Sequence, residues 1–275
     1  MTSREAWLEG HTFLQPLARL CAKVEQAAAG IERPRAPIPR WDDYRNDFLA
    51  GVPLLQSTDV GLDLDPAGKM TAALVAKLAS EPLEGTLVAD ARALDAQLRG
   101  DPDAASRIAA WLLGDDTFTP AAPGLLRFVA WTAAARYLGP VVATFESWRD
   151  DEKWLRAYCP TCGSLPAMAQ LVGVDPGRKR LLACGCCASR WQFERMGCPF
   201  CEREAQKITA VTIEGEGRLR IDYCEACRGY LKTYNGQGEE ATFLSDWTSL
   251  HIDVLARDRG LKRLAASLYD LDSVA

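Results

Sequence analysis

The sequence predicts an α+β protein: a helical N-terminal domain, two tandem rubredoxin-like or zinc-ribbon-like four-cysteine modules, and a C-terminal helical segment. Apolar residues recur at helical spacing before residue 155, nine of the ten cysteines lie between Cys159 and Cys227, and runs rich in β-branched residues lie among those cysteines. We therefore divide the chain into an α-helical domain, a first module, a second module and C-terminal helices, at residues 1–155, 156–195, 196–237 and 238–275.

The first predicted helix ends near Gly30 and has an apolar stripe at three- and four-residue intervals. The stripe comprises Phe13, Leu17, Leu20, Val24 and Ala28, widened by Leu14 and Cys21. Three prolines then predict an extended linker before a helix over residues 41–50. Further helices are expected to start where a capping residue precedes proline, at Asp65-Pro66, Asp101-Pro102 and Thr119-Pro120.

Two β-type runs, residues 207–213 and 219–223, flank Glu214-Gly-Glu-Gly217 and predict a hairpin. The matching hairpin of the first module is expected to turn near Asp175-Pro-Gly177. Beyond residue 237, helices are predicted over residues 246–256 and 261–271, with Gly260 between them.

The composition is that of an ordinary globular protein of 275 residues, 48% hydrophobic and 25% charged, and its net charge of -5 argues against a nucleic-acid-coating protein. Arg4, Glu5 and Glu9 interrupt any signal-peptide core, and arginines interrupt the apolar stretch over residues 125–145. We expect a cytoplasmic protein, without membrane insertion. In that reducing compartment, regularly spaced cysteines indicate metal ligands or redox thiols rather than disulfides.

Eight cysteines form four pairs in which two residues separate the outer sulfurs. The spacing lets a tight turn aim both sulfurs at one ion, and the intervals of 21 and 22 residues between successive pairs of a module leave room for one hairpin. The predicted metal ligands are Cys159, Cys162, Cys184, Cys187, Cys198, Cys201, Cys224 and Cys227.

The two modules are a repeat. Cys198 follows Cys159 by 39 residues, Cys224 follows Cys184 by 40, and Gly177-Arg-Lys-Arg-Leu181 matches Gly217-Arg-Leu-Arg-Ile221 at the same offset. The duplication predicts that each module closes its own four-cysteine site.

Several assignments stay open at this level. Either Cys186 or Cys187 fits as the partner of Cys184, and the uniform spacing favours Cys187. Four thiolates suit Zn²⁺ or a single iron, and the residues favour structural zinc; catalytic zinc is disfavoured because no coordination position remains open. Cys21 is predicted to be a core residue. His11 and His251 are isolated in the sequence, both from each other and from the cysteine pairs. We identify no catalytic residues and no organic cofactor.

With these residues in view, the chain resembles the FdhE family. The resemblance rests on Cys159-Pro-Thr-Cys162-Gly-Ser-Leu-Pro166, on Cys187-Ala-Ser-Arg-Trp191, on Arg195-Met-Gly-Cys198-Pro-Phe-Cys201 and on Tyr223-Cys224-Glu-Ala-Cys227-Arg-Gly-Tyr230. Gly51-Val-Pro-Leu-Leu55 and Asp253-Val-Leu-Ala256 look like the family's N-terminal and C-terminal elements. The position of Trp191 supports Cys187 as the ligand.

The resemblance implies an accessory protein, not an enzyme, that binds the catalytic subunit of respiratory formate dehydrogenase before export. It also implies oxygen-sensitive iron in the four-cysteine sites, so that two tetrahedral ions, Fe or Zn, are expected. The alternative functions are a rubredoxin-like electron-transfer or thiol redox protein and, disfavoured by the acidic balance, a zinc-ribbon nucleic-acid-binding protein.

Overall fold

The structure is a computed structural model; it describes residues 3–174, 176–201 and 207–270 and joins a helical bundle to one mixed β-sheet. The α-helices in these residues are α1 (Ser3–Gly10), α2 (Gln15–Ala29), α3 (Trp41–Ala50), α4 (Asp65–Ser80), α5 (Leu87–Arg99), α6 (Ala104–Leu112), α7 (Pro123–Trp148), α8 (Asp151–Trp154), α9 (Glu240–Phe243) and α10 (Leu250–Asp258). The strands are β1 (Pro166–Val172), β2 (Lys179–Cys184), β3 (Arg190–Phe193), β4 (Ile208–Thr212), β5 (Leu219–Cys224) and β6 (Tyr230–Asn235). The mixed helix-and-sheet class is confirmed.

The long helix α7 forms the centre of the bundle, and α4 packs against it together with α2, α5 and α6. The two arginines that interrupt the apolar run of α7 have polar or aromatic partners: Arg127 lies 5.4 Å from the ring centre of Trp111, and Arg136 donates to the carbonyl of Ile31. Within the residues described, no helix is both long enough and apolar enough to span a bilayer.

Most predicted helix boundaries agree with the structure. Helix α2 ends at Ala29 beside Gly30, α3 spans residues 41–50, and α4 starts at Asp65. Helix α7 begins at Pro123 and not at Pro120, because a second proline three residues on occupies its first turn. Phe13 is 59% exposed and lies outside the core stripe, since a 3₁₀ turn over Thr12–Leu14 rotates Leu14 inward instead.

Strand order in the sheet is β3-β2-β1-β6-β5-β4 for the described residues. Neighbouring strands are antiparallel within each module, whereas β1 and β6 pair in parallel and join the modules, with Ala169 opposite Thr233. By the offset of 40 residues, β1 corresponds to β4 and β3 to β6. The modules are therefore arranged head to tail, and one continuous sheet contains both. The division of the chain into four domains stays a prediction.

The predicted hairpins are present. The turn over residues 213–218 joins β4 to β5, with Glu216 N–H donating to the carbonyl of Ile213. In the first module, Gly177 N–H donates to the carbonyl of Val174 between β1 and β2; Asp175, named in the predicted turn, lies outside the described residues.

The second predicted C-terminal helix is wrong as far as residue 270, beyond which the chain lies outside the described residues. Gly260 ends α10 with a φ of 66°, and the following backbone pairs with the second module: Lys262 N–H donates to the carbonyl of Arg228 at 2.8 Å. Pairing with a neighbouring strand end satisfies the backbone groups that a helix would have paired internally.

Helix α1 packs on the C-terminal part of the chain. The Trp7 indole N–H donates to the carbonyl of Thr248 at 2.9 Å, and the Trp7 ring meets Phe243 edge-on at 5.0 Å. Residues at the two ends of the described chain therefore lie together beside the second module.

Candidate metal centres

The first cysteine set joins a turn before β1 to a turn after β2. Cys159 and Cys162 belong to the first turn, Cys184 and Cys187 to the second, and all four side chains are buried. The sulfurs of Cys159 and Cys187 are 3.5 Å apart, as are those of Cys162 and Cys184. The structure thus brings the four predicted residues of the first module into one cluster, which we call site 1.

The second set has the same construction and a more exposed setting. The sulfurs of Cys198 and Cys227 are 3.7 Å apart and those of Cys201 and Cys224 are 3.8 Å apart. Cys198 and Cys224 are buried, whereas Cys201 and Cys227 are half-buried. This cluster is site 2, and the two sets do not interleave, as the repeat predicted.

Backbone geometry in the turns suits metal-binding knuckles. The N–H groups of Thr161, Cys186 and Phe200 donate to the sulfurs of Cys159, Cys184 and Cys198 at 3.3–3.4 Å. Residues that follow the second cysteine of a pair adopt a left-handed φ, 80° at Gly163 and 63° at both Ala188 and Arg228. Ala188 and Arg228 are equivalent in the repeat, so the two modules share the strained turn that points each sulfur inward.

The geometry separates Cys187 from Cys186. Cys187 contributes its sulfur to site 1, while Cys186 lies outside the four-sulfur set and its backbone N–H supports Cys184. The structure therefore places Cys187, and not Cys186, with the other three cysteines of site 1, and its role as a ligand stays a prediction. Cys21 is buried on α2 as expected, and burial raises the pKa of its thiol to about 12.

Sulfur spacing in both sites fits a tetrahedral ion. A metal–sulfur bond of about 2.3 Å gives a tetrahedral edge of about 3.8 Å between sulfurs, whereas a disulfide needs about 2.05 Å. The observed separations of 3.5–3.8 Å match the tetrahedral edge. Both four-cysteine groups could hold metal ions; the ligand role of each cysteine and the identity of the ion stay predictions.

Electrostatics point the same way. Hydrogen bonding to Cys159 raises the pKa of both Cys162 and Cys184, and burial raises both further. Burial also raises the pKa of Cys198 and Cys227. Burial opposes ionisation of Cys187 and Cys224 as well, but hydrogen bonds from their neighbours lower the pKa of these two thiols. Four thiols crowded in this manner ionise together only beside a cation, since each thiolate opposes the next.

Site 1 is built into the helical core. Its cysteines belong to the same apolar cluster as Leu54, Leu55 and Trp191. The N–H groups of Leu54 and Leu55 donate to the carbonyls of Pro160 and Thr161, both at 2.9 Å, so the Gly51–Leu55 segment braces the first turn of site 1. The Gly51–Leu55 motif, identified from the sequence, therefore supports the backbone of site 1.

The arginine side chains near the cysteine turns donate hydrogen bonds mainly to backbone carbonyls. Arg180 is buried in the first module and donates to the carbonyl of Gly197, next to Cys198 of the second module, at 2.6 Å. Burial lowers its pKa to about 10. Arg228 donates to the carbonyl of Arg259 at 2.7 Å and lies over the ring of Tyr223.

The structure also brings together residues that the sequence left apart. His11 and His251, expected to be isolated, both contact the carboxylate of Glu216. Separations of 205 and 35 residues leave no local spacing signal for this cluster.

Part of the chain is similar in sequence to proteins named FdhE. No family model matches the chain. It is 35% identical over 123 residues to the FdhE homolog of Pseudomonas putida, 28% over 130 residues to that of Aquifex aeolicus and 28% over 111 residues to protein FdhE of Escherichia coli O127:H6. These matches span 41%, 45% and 39% of this chain, and 38%, 46% and 36% of the relatives, less than half of their length.

The crystal structure of the FdhE protein from Pseudomonas aeruginosa extends the likeness to the whole fold. The two structures superpose with a TM-score of 0.63 over 98% of this chain and 93% of that one, at 23% identity. The chain is similar to the FdhE proteins and has their fold. The predicted resemblance to FdhE is thereby confirmed.

Proposed function

We propose that this chain is a non-enzymatic accessory protein that binds the catalytic subunit of a formate dehydrogenase during its maturation, through the two-module region. The observation that carries the proposal is the FdhE-type fold over nearly the whole chain together with two clustered four-cysteine sites. The described residues offer a scaffold with preformed turns, which suits binding and positioning of a partner.

The two sites divide the work in this proposal. Site 1 lies in the helical core and fastens the first module to the bundle, whereas site 2 reaches the surface through Cys201 and Cys227. Next to site 2, the side chain of Met196 is 62% exposed. An exposed methionine beside an arginine, here Arg195, is typical of a protein-binding surface, because methionine adapts its shape to a partner at small free-energy cost.

The four cysteines of each site would coordinate an ion and leave no coordination position open. Four sulfurs fill a tetrahedral shell, and the N–H groups of the turns stabilise the thiolates. Iron bound there would supply a one-electron couple, whereas zinc would supply folding energy alone. The partial exposure of site 2 favours electron transfer as the second candidate function, which requires iron and a reversible change of the visible spectrum.

A deletion strain complemented with variants tests the proposal. Met196→Asp and Val174→Asp introduce the same charge at exposed apolar positions, the first beside site 2 and the second, 79% exposed, on the turn of the first module. We expect Met196→Asp to lower formate dehydrogenase activity and recovery of the catalytic subunit at least about tenfold, a typical effect of losing an interface anchor. Val174→Asp should match the wild type.

Two outcomes would contradict the proposal. Undiminished formate dehydrogenase activity in the deletion strain would reject the accessory function. Full recovery of the subunit with Met196→Asp would reject the docking surface beside site 2. As a control, the metal content and the circular dichroism spectrum of each variant test whether it is folded.

A further inference from the structure

The two histidines of the chain meet at one buried carboxylate, outside the four-cysteine sites. Nε2 of His11 lies 2.9 Å from Oε1 of Glu216, and Nε2 of His251 lies 2.7 Å from the same oxygen. Glu216 is 7% exposed and belongs to the β4–β5 hairpin. His11 follows α1 and His251 lies on α10, so three distant segments converge at this point.

The hydrogen bonding of His11 leaves its Nε2 atom facing an acceptor oxygen, a contact that a cation would satisfy. Nδ1 of His11 lies 2.8 Å from the carbonyl oxygen of Trp7, which can only accept, so Nδ1 carries the proton. A neutral His11 then presents the lone pair of Nε2 to the Glu216 carboxylate, and two acceptors would oppose each other. A proton on either atom would satisfy this contact, and so would a cation bound by both Nε2 and the carboxylate.

An N–H bonded to a backbone carbonyl, with the other nitrogen free for a metal, is the usual arrangement of a metal-ligating histidine. The Trp7 indole stacks on the His11 ring at 3.9 Å and fixes its orientation. The ring therefore has the support that a metal ligand needs, while its outward nitrogen faces two further donors.

Unpaired buried atoms provide independent evidence. Among the described residues, Oε2 of Glu216 and Nδ1 of His251 are buried and have no hydrogen-bond partner. A carboxyl group that is only 7% exposed and has an unpaired oxygen is the kind of group that a cation satisfies.

We propose that His11, Glu216 and His251 form a third metal site, which takes a divalent transition-metal ion, with zinc as the first ion to test. Two imidazoles and one carboxylate are a ligand set of zinc enzymes that leaves the fourth position open to water. The ligand atoms lie within 4.8 Å of one another, and a tetrahedral edge of about 3.3 Å requires them to separate by a few tenths of an ångström.

The exposed ring of Phe13 stands at the edge of this site. It meets the His11 ring at 5.7 Å and the His251 ring at 5.3 Å, both edge-on. The two histidine side chains are 15% and 17% exposed, which gives an ion access from solvent. A bound ion would fasten α1, the second module and α10 to one another, a role separate from docking of the formate dehydrogenase subunit.

Metal content of the full chain, purified without oxygen and equilibrated at a fixed free Zn²⁺ concentration, tests the site. We expect Glu216→Gln to carry one divalent ion fewer per chain than the wild type. Glu214→Gln, which removes the same charge from an exposed position of the same hairpin, should keep the full content. His11→Phe retains a ring between Trp7 and Phe13, and it too should lose one ion.

Thiol alkylation distinguishes the third site from sites 1 and 2. We expect the eight clustered cysteines to stay protected in Glu216→Gln and His11→Phe. Equal metal content in these two variants and the wild type would overturn the proposal. Loss of an ion accompanied by four newly reactive thiols would overturn it as well, because that ion would have come from a four-cysteine site.

Discussion

At the scale of single residues, the choice between Cys186 and Cys187 decides how site 1 closes. Both follow Cys184 within three positions, yet Cys187 alone of the two joins the four-sulfur cluster. The left-handed turn at Ala188 comes directly after it, as the equivalent turn at Arg228 comes after Cys227. The repeat of backbone geometry thus supports the prediction that Cys187 is the ligand.

Cys187→Ser is expected to lose one metal equivalent, since an alcohol is a poor replacement for a thiolate ligand. Cys186→Ser is the matched control, made at the adjacent thiol, and should retain both equivalents of the four-cysteine sites. Elemental analysis of the two variants measures the difference. Loss of an equivalent in Cys186→Ser with full retention in Cys187→Ser would reverse the assignment.

Asp246 is the residue on which a buried ion-pair network depends. Its carboxylate lies 2.7 Å from Nζ of Lys232 and 2.8 Å from Arg263, and Asp253 contacts both cations at 2.7 Å. Lys232 belongs to β6, whereas the acids and Arg263 belong to the C-terminal part. The network therefore ties the second module to the segment that follows it.

The network predicts a pH dependence. Burial would raise the pKa of Asp246, but Lys232 and Arg263 lower it from 3.8 to about 2. A lowered folded-state pKa contributes stability that is present above pH 3.8 and lost as the pH falls towards 2. We expect the difference in unfolding free energy between wild type and Asp246→Asn to shrink through this range in urea titrations. A difference that stays constant down to pH 2 would contradict this.

At the scale of elements, the contact between α4 and α6 depends on a glycine. A Cβ at Gly68 would come within 2.2 Å of the carbonyl oxygen of Ala105, so the two helix backbones touch where a larger residue does not fit. Gly100, at the end of α5, has a negative φ and no atom closer than 3.6 Å to such a Cβ. Of these two glycines, Gly68 alone lies where a side chain would clash with a neighbouring helix.

Gly68→Ala should lower the free energy of unfolding by about 1–3 kcal/mol, because overpacking separates the helices. Gly100→Ala should leave it unchanged or raise it slightly, since alanine restricts the unfolded chain. Chemical denaturation of both variants provides the measurement. An undiminished stability of Gly68→Ala would show that α4 and α6 shift without penalty.

Elements whose structure depends on local residues were predictable. The four cysteine turns, the hairpin at residues 213–218 and helices α2 to α4 follow from spacing, turn residues and caps. Elements decided by distant contacts were not predictable. Phe13 lies beside His251 and not in the predicted stripe, and the backbone of Lys262 pairs with the second module where a helix was predicted. The start of α7 moved because two prolines compete for one first turn.

At the scale of the whole molecule, two equivalent modules occupy different environments. Site 1 is buried against the helical bundle, and site 2 opens to solvent on the other module. The sequence predicted the equivalence, because the duplication is visible in the spacing. It did not predict the asymmetry or the histidine–glutamate cluster, because both arise from how remote segments pack.

The asymmetry predicts two phases of metal loss from the four-cysteine sites. Under a chelator, site 2 should release its ion first, since Cys201 and Cys227 are accessible, and site 1 should follow only as the core opens. Cys201→Ser should lack the fast phase and keep the slow one. Release followed by thiol reactivity measures both phases. A faster loss from site 1, identified as alkylation of Cys159 and Cys162 before Cys201, would contradict the burial argument.

The most direct test of the proposed function is an affinity purification of the tagged chain from its host without oxygen, with co-purifying proteins and metal content determined on the same sample. We expect a formate dehydrogenase catalytic subunit to be recovered with a chain whose four-cysteine sites carry metal. Recovery of a folded, metal-loaded chain without any formate dehydrogenase subunit would contradict the proposed function.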